Sequence, residues 1–208
     1  MIRNYLIVCS ILVTILIGSG CSKSNDNKAT ISINSDSEHV KTFDDLNLGI
    51  LFDFDFTLPN ADQRWVNLWV ERYNDGTKES QHLTQLSYGN SPNKVDEGSM
   101  GFGMINPDSD DTMVFLYGPD VRTQPQIIEK ESTESRLSTW DYAIGKGKVK
   151  LNLGETKILA VYRETENGSL HSVDLQNEEN VKEIIEQDDT VLVLKIKIEE
   201  KDLGNQVL

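Results

Sequence analysis

Alternating aromatic and polar residues between positions 65 and 73 are the part of this sequence best suited to binding a ligand. Successive side chains of a strand point to opposite faces, so a strand here would carry on one face Trp65, Asn67, Trp69, Glu71 and Tyr73. Rings on such a half-polar face stack on the apolar side of a sugar, while amides and carboxylates bond its hydroxyl groups. The size of the rings favours a core position under a second sheet or a loop, and a glycan-binding platform is the alternative that the polar residues between them suggest.

Acidic residues and histidines elsewhere in the chain give little support to catalysis. Asp53 and Asp55 lie two positions apart on the expected exposed face of one strand, and they would form a glycosidase pair only inside a cleft. The histidines are single and far apart, so their spacing forms no metal motif: His39, His82 and His171. We therefore predict no catalytic residue, no metal site and no cofactor.

Two further segments share some features with known ligand loops. Residues 108–111 gather the oxygen ligands that calcium prefers, but the glycine and the distal glutamate of the twelve-residue calcium loop are missing. Residues 98–103 are rich in glycine, but the Lys-Ser or Lys-Thr pair of a phosphate loop does not follow. We predict a solvated turn for the first segment. For the second we predict a strand whose glycines mark a bulge or a close backbone approach.

The N-terminal segment has the composition of a secretory signal. A weakly basic start is followed by an apolar run over residues 5–17, and Gly18-Ser19-Gly20 then precedes Cys21. This segment resembles a bacterial lipoprotein signal, although an aliphatic residue is usual where Gly18 stands. The resemblance implies that the Cys21 sulfur is acylated and that the chain is cut just before it. An uncleaved anchor and secretion with cleavage elsewhere are the alternatives, and the apolar run is shorter than the roughly 20 residues that span a bilayer.

The resemblance divides the chain into a signal peptide (1–20), a lipidated polar tether (21–42) and a single folded domain (43–208). It implies a location on the extracytoplasmic face of the cell membrane, with the membrane as partner through the N-terminal lipid. The formal net charge of −14 predicts repulsion of nucleic acid and of anionic headgroups. We therefore expect no nucleic-acid partner and a domain that stands off the bilayer. Cys9 and Cys21 are the only cysteines, so no disulfide is expected in the mature domain.

In most of the chain after residue 43, apolar residues recur at every second position, as in a strand. Apolar residues alternate over 48–58, and similar runs occur at 80–88, 112–117, 137–144, 149–153, 156–163 and 190–198. Asp75-Gly76 predicts a hairpin turn. One helix is predicted after Asn177, which can cap it, with Val181, Ile184 and Ile185 on one face. The fold class is therefore all-β: an antiparallel β-sandwich, immunoglobulin-like in general architecture, with one short helix near the C-terminus.

The segment from Ala61 to Asn74 fits two structures. As a helix it would be capped by Asn60 and would carry the aromatic residues in one stripe. The Val, Trp and Tyr content and the Asp-Gly turn that follows favour a strand, which is our prediction.

Two classes of function follow from these observations. The favoured class is a non-enzymatic envelope lipoprotein whose sandwich binds another envelope component, either a protein or a glycan. The alternative is an enzyme acting on cell-wall or extracellular glycan through acidic residues near the aromatic face. A less specific possibility is an accessory subunit that docks on a membrane protein through an exposed sheet edge.

Overall fold

A computed structural model describes residues 27–129, 136–166 and 169–200 of the chain. These residues form two antiparallel sheets and two α-helices, so the predicted all-β sandwich is confirmed. The strands are β1 (Ala29–Ile33), β2 (Gly49–Pro59), β3 (Arg64–Asn74), β4 (Thr77–Lys78), β5 (Thr84–Gly89), β6 (Val95–Ile105), β7 (Met113–Gly118), β8 (Val121–Arg122), β9 (Gln126–Ile127), β10 (Leu137–Tyr142), β11 (Val149–Leu151), β12 (Thr156–Thr165) and β13 (Thr190–Glu200). The helices are α1 (Glu38–Asp45) and α2 (Glu178–Gln187).

Each sheet joins strands that are distant in sequence. Sheet A has the order β11-β1-β2-β6-β7-β8, and β9 also pairs with β7. Sheet B has the order β10-β12-β13-β3-β4, and β5 also pairs with β3. The core lies between the two sheets because the alternating apolar residues of β2 and β3 face each other, as Phe52 and Phe54 do from sheet A and Val66 and Leu68 from sheet B.

The sandwich has two ends, which differ in the parts of the chain they contain. At the proximal end β1 begins, β2 ends and β3 starts, and the Arg64 Nη2 donates to the carbonyl oxygen of Asn27 over 2.7 Å. At the distal end β2 begins at Gly49, paired with Ile105. The hairpin between β3 and β4 and the last turn of α2 also lie there, since the Asp75 N–H donates to Asp189 O.

Each of the two helices covers part of the outer face of one sheet. α2 packs Val181 and Ile184 on the outer face of sheet B. The Asn177 side chain accepts from the Glu179 N–H, so the predicted helix and its cap are confirmed. α1 lies against β2 on the outer face of sheet A. Its N-cap is Ser37, whose hydroxyl accepts from the Val40 N–H over 3.1 Å.

Two predictions are wrong in the described part of the chain: the start of the folded domain and the number of helices. Residues 29–33, assigned to the tether, form β1, which pairs with β2 and β11 because Ala29 and Ile31 belong to the core. Residues 38–45 form α1, so the domain has two α-helices where one was predicted. The folded domain therefore begins well before residue 43. The signal peptide, Cys21 and the tether as far as residue 26 lie outside the described residues.

Candidate functional site

The predicted aromatic platform lies on a strand, and its residues share one face. β3 runs from Arg64 to Asn74, so the strand interpretation of this segment is confirmed and the helical alternative is wrong. The face points away from the core, because Val66, Leu68 and Val70 occupy the alternate, fully buried positions. Of the five predicted site residues, Trp65 is 37% exposed, Glu71 is buried, and the others are half-buried.

Glu71 is the centre of a hydrogen-bonded network on this face. Its Oε1 accepts from the Trp69 Nε1 over 3.1 Å and lies 2.6 Å from the Lys78 Nζ. Its Oε2 accepts from the Tyr73 hydroxyl and from the Lys195 Nζ, both over 2.7 Å. Four donors from three strands therefore contact its two oxygens, and the carboxylate links β3, β4 and β13.

Ionisation of this network follows from its contacts. Burial alone would raise the pKa of Glu71, but the hydrogen bonds from Lys195, Lys78, Tyr73 and Trp69 outweigh it and lower that pKa to about 2. Burial and the hydrogen bond to Glu71 raise the pKa of Tyr73 well above its usual value. The pair is therefore a charged carboxylate and a neutral phenol across the physiological range.

The two indoles have different environments. The Trp69 ring stacks on the His82 ring at a centroid distance of 5.6 Å and an interplanar angle of 27°, so His82 covers one of its faces. Trp65 lies across Gly89 of β5, where an added Cβ would come within 2.3 Å of the indole. The absence of a side chain at Gly89 leaves room for the Trp65 ring, and Trp65 as a whole is 37% exposed.

Polar side chains that suit a sugar occupy the positions next to Trp65 on the same face of sheet B. The Asn67 Nδ2 donates to the Glu199 Oε2 over 2.8 Å, and the Asn67 Oδ1 accepts from the Ser87 hydroxyl over 2.8 Å. Glu199 is the register partner of Trp65 on β13. One open ring beside an amide, a carboxylate and a hydroxyl provides one stacking position with hydrogen-bonding groups at its side. Tyr73, in contrast, packs against the apolar cluster beneath α2.

A second site lies on the outer face of sheet A and was missed in the sequence. Asp53 was predicted to be solvated, but it is fully buried because α1 covers this part of β2. Its Oδ1 accepts from the Tyr117 hydroxyl over 2.8 Å and from the Phe54 N–H over 3.0 Å. Its Oδ2 has no hydrogen-bond donor within range and lies 3.6 Å from the Nδ1 of the exposed His39. The alternation of β2 placed Asp53 on the correct face, but it gave no information about the helix that covers it.

The glycines of β6 explain how Tyr117 reaches Asp53. Gly101 lies between them in the register, paired with Asp53 on one side and Tyr117 on the other. A Cβ at Gly101 would lie 2.6 Å from the Tyr117 hydroxyl and 1.9 Å from the Phe52 carbonyl oxygen. The predicted close approach at this glycine-rich strand is confirmed. The space left by the missing side chain of Gly101 is occupied by the Tyr117 phenol. His39 and Tyr117 also line a groove of about 970 Å³, together with Tyr88, Ser99 and Arg122.

The other candidate segments form ordinary structural features. Residues 106–112 form the turn between β6 and β7, where the Ser109 hydroxyl accepts from the Asp111 N–H and the Thr112 hydroxyl donates to the Asn106 and Ser109 carbonyls. Asp55 accepts from the Asn34 Nδ2 over 2.8 Å, so it is not paired with Asp53 across a cleft. Among the residues that the structure describes, no three His, Cys, Asp or Glu side chains are grouped to hold a metal ion.

Comparison with known proteins gave no match to a family model, to a curated protein or to a solved structure. Within the described ranges, neither helix has the length and apolar character needed to cross a membrane.

Proposed function

We propose that this protein is an envelope lipoprotein, acylated at Cys21 and anchored on the extracytoplasmic face of the cell membrane, whose sandwich binds another envelope component without catalysis. The sequence of residues 1–21 supports the anchor. Two acyl chains on one diacylglycerol would meet the usual requirement for stable membrane attachment.

The observation that carries the binding role is the open Trp65 ring beside Asn67. A flat, exposed indole supported by Gly89, with an amide and a carboxylate at its edge, suits a pyranose ring. We therefore propose a glycan as the ligand, with an envelope protein as the alternative partner. The platform is smaller than the sequence predicted, since Glu71 and Tyr73 serve the network and His82 covers one face of Trp69.

The anchor is tested by changing Cys21 to alanine and labelling cells with a fatty-acid analogue. We expect label on the wild type and none on Cys21→Ala, because the thiol is the attachment point. The variant should also accumulate as an uncleaved precursor. Label on the alanine variant, or an unlabelled wild type, would remove the lipoprotein proposal.

The platform is tested by comparing Trp65→Ala with Trp65→Phe and Trp69→Ala. A lost aromatic stack is worth on the order of 1 kcal/mol, so Trp65→Ala should bind immobilised hexose and N-acetylhexosamine oligosaccharides roughly fivefold more weakly. Its melting temperature should stay close to that of the wild type, whereas Trp69→Ala should melt lower because it loses His82 and Glu71 contacts. Trp65→Phe keeps a ring and should bind nearly as well.

Two results would contradict the platform. A large loss of melting temperature in Trp65→Ala would mean that this ring is structural. Unchanged oligosaccharide binding in Trp65→Ala, for any sugar that the wild type retains, would place the ligand elsewhere.

A second candidate function is an enzyme acting on cell-wall or extracellular glycan. The observation that favours it is the buried Asp53 beside the exposed His39 at the margin of the groove, since a carboxylate that orients a histidine is a common arrangement for a general base. Release of reducing ends from peptidoglycan by the wild type, lost in His39→Gln, would replace the binding role with this one.

A further inference from the structure

We infer that the proximal end of the sandwich docks on the bilayer that carries the Cys21 lipid, so that the distal end points away from the membrane. This inference rests on the proposed lipid anchor. It names a second interaction surface, whose partner is a phospholipid bilayer, and it reverses the expectation from net charge that the domain stands off the membrane.

A short segment connects the proposed lipid to the sandwich. Asn27 is the sixth residue after Cys21, and a chain of that length spans at most about 20 Å. Asn27 is fixed to the proximal end, since its carbonyl accepts from the Arg64 Nη2 and its side chain accepts from the Asn60 Nδ2. The proximal end is therefore held within reach of the headgroups, whereas the distal end lies a whole strand length further from the lipid.

The proximal end carries exposed aliphatic side chains. Val95, which opens β6, is 49% exposed, and Leu153, which follows β11, is 40% exposed. Their neighbours include Lys28, which donates to Asn152, and Lys94, which pairs with Asp62. Exposed aliphatic side chains next to lysines suit the boundary between headgroups and acyl chains.

The two ends of the sandwich differ in charge. The proximal segments 27–30, 57–66, 89–97, 150–157 and 197–200 hold six basic and six acidic residues, and their formal charge is zero. The distal segments 44–51, 72–78, 103–115, 136–139, 163–166 and 186–192 hold four basic and eleven acidic residues, so their formal charge is −7. Two of those basic residues, Arg136 and Arg163, pair with three of the eleven carboxylates.

Such a polarity orients a tethered domain. An anionic membrane surface repels carboxylates that come within a Debye length, about 8 Å at physiological ionic strength. The neutral proximal end meets no such repulsion, and the tether already brings it to the surface. Trp65 follows Arg64 directly, so this orientation also brings the proposed sugar platform close to the headgroups.

The orientation is tested with single-cysteine variants of the acylated, full-length protein in vesicles. Cys9 lies in the signal and Cys21 carries the lipid, so an introduced cysteine takes a thiol-reactive fluorophore specifically. Val95→Cys and Leu153→Cys report on the proximal end. Leu46→Cys is the matched control, because Leu46 is also an exposed aliphatic residue, at 64%, but lies at the distal end.

We expect vesicles of phosphatidylcholine and phosphatidylglycerol to shield the labels at 95 and 153 several-fold from a dissolved quencher, relative to detergent. The label at 46 should stay as accessible as in detergent, and a bromine-bearing lipid should quench only the proximal labels. Equal accessibility of all three labels, or shielding of position 46, in a protein that floats with the vesicles would overturn the docking and leave the lipid anchor intact. A wild type that is unacylated and does not float would overturn both.

Discussion

Replacing Glu71 with glutamine tests whether the network on the outer face of sheet B is structural. Glutamine keeps the size of the side chain and one acceptor oxygen but removes the charge. Lys78 and Lys195, which both contact the Glu71 carboxylate, would lose their anionic partner. We expect Glu71→Gln to be destabilised at neutral pH while keeping the fold.

The magnitude follows from the pKa of Glu71. A carboxyl whose pKa falls from 4.5 in the unfolded chain to about 2 in the folded one contributes about 3 kcal/mol of stability above the unfolded value. Because the folded pKa is the lower one, this contribution is lost as the pH falls from 4.5 towards 2. The difference in unfolding free energy between wild type and variant should therefore shrink by about 2 kcal/mol between pH 5 and pH 3.

Urea unfolding at several pH values measures this difference. Glu155→Gln is the control, because Glu155 is an exposed carboxylate bonded only to the nearby Asn152 in this region, and it should follow the wild type at every pH. A constant gap between wild type and Glu71→Gln from pH 7 to pH 3 would refute the charged network. So would a variant as stable as the wild type at pH 7.

Two further predictions concern backbone geometry and helix capping. Gly101→Ala should cost on the order of 3 kcal/mol, because its Cβ would overlap the Phe52 carbonyl oxygen and displace Tyr117 from Asp53. Gly147→Ala, where no atom lies within 4 Å of an added Cβ, should change the free energy of unfolding in urea by less than about 0.5 kcal/mol. Equal losses in the two variants would count against the close approach of Tyr117 to Gly101. Asn177→Ala should cost about 1 kcal/mol by removing the α2 cap, and an unchanged thermal melt would show that the cap is not needed.

The parts of the fold that alternate in polarity could be predicted from the sequence. β2 and β3 each bury one face of a strand, so Phe52 and Val66 were assignable to the core from their spacing. The parity of Trp65 and Glu71 was also correct. The alternation within β3 does not identify the side chains that contact Glu71. Lys78 and Lys195 reach it from other strands, and no local pattern indicates the register of those strands.

The errors share a physical cause. None of the side chains of α1 is fully buried, so its residues read as a polar tether although the helix covers Asp53. β1 has only five residues and gains its place by pairing with β11, which comes far later in the chain. Local patterns describe one element at a time, whereas both errors arise where two distant elements meet.

Each sheet contains a pairing between strands from opposite halves of the chain, and this constrains how the protein folds. Ala29 pairs with Leu151 in sheet A, and Arg64 pairs with Glu200 in sheet B. A polypeptide that emerges N-terminus first, from a ribosome or through a translocation channel, cannot complete sheet A until β11 has emerged. It cannot complete sheet B until β13 has emerged. Pairings between residues so distant in sequence form slowly. During that delay the edge groups of β1 and β3 lack their partners, so a nascent chain of this topology benefits from a chaperone that holds it unfolded until synthesis or export has finished.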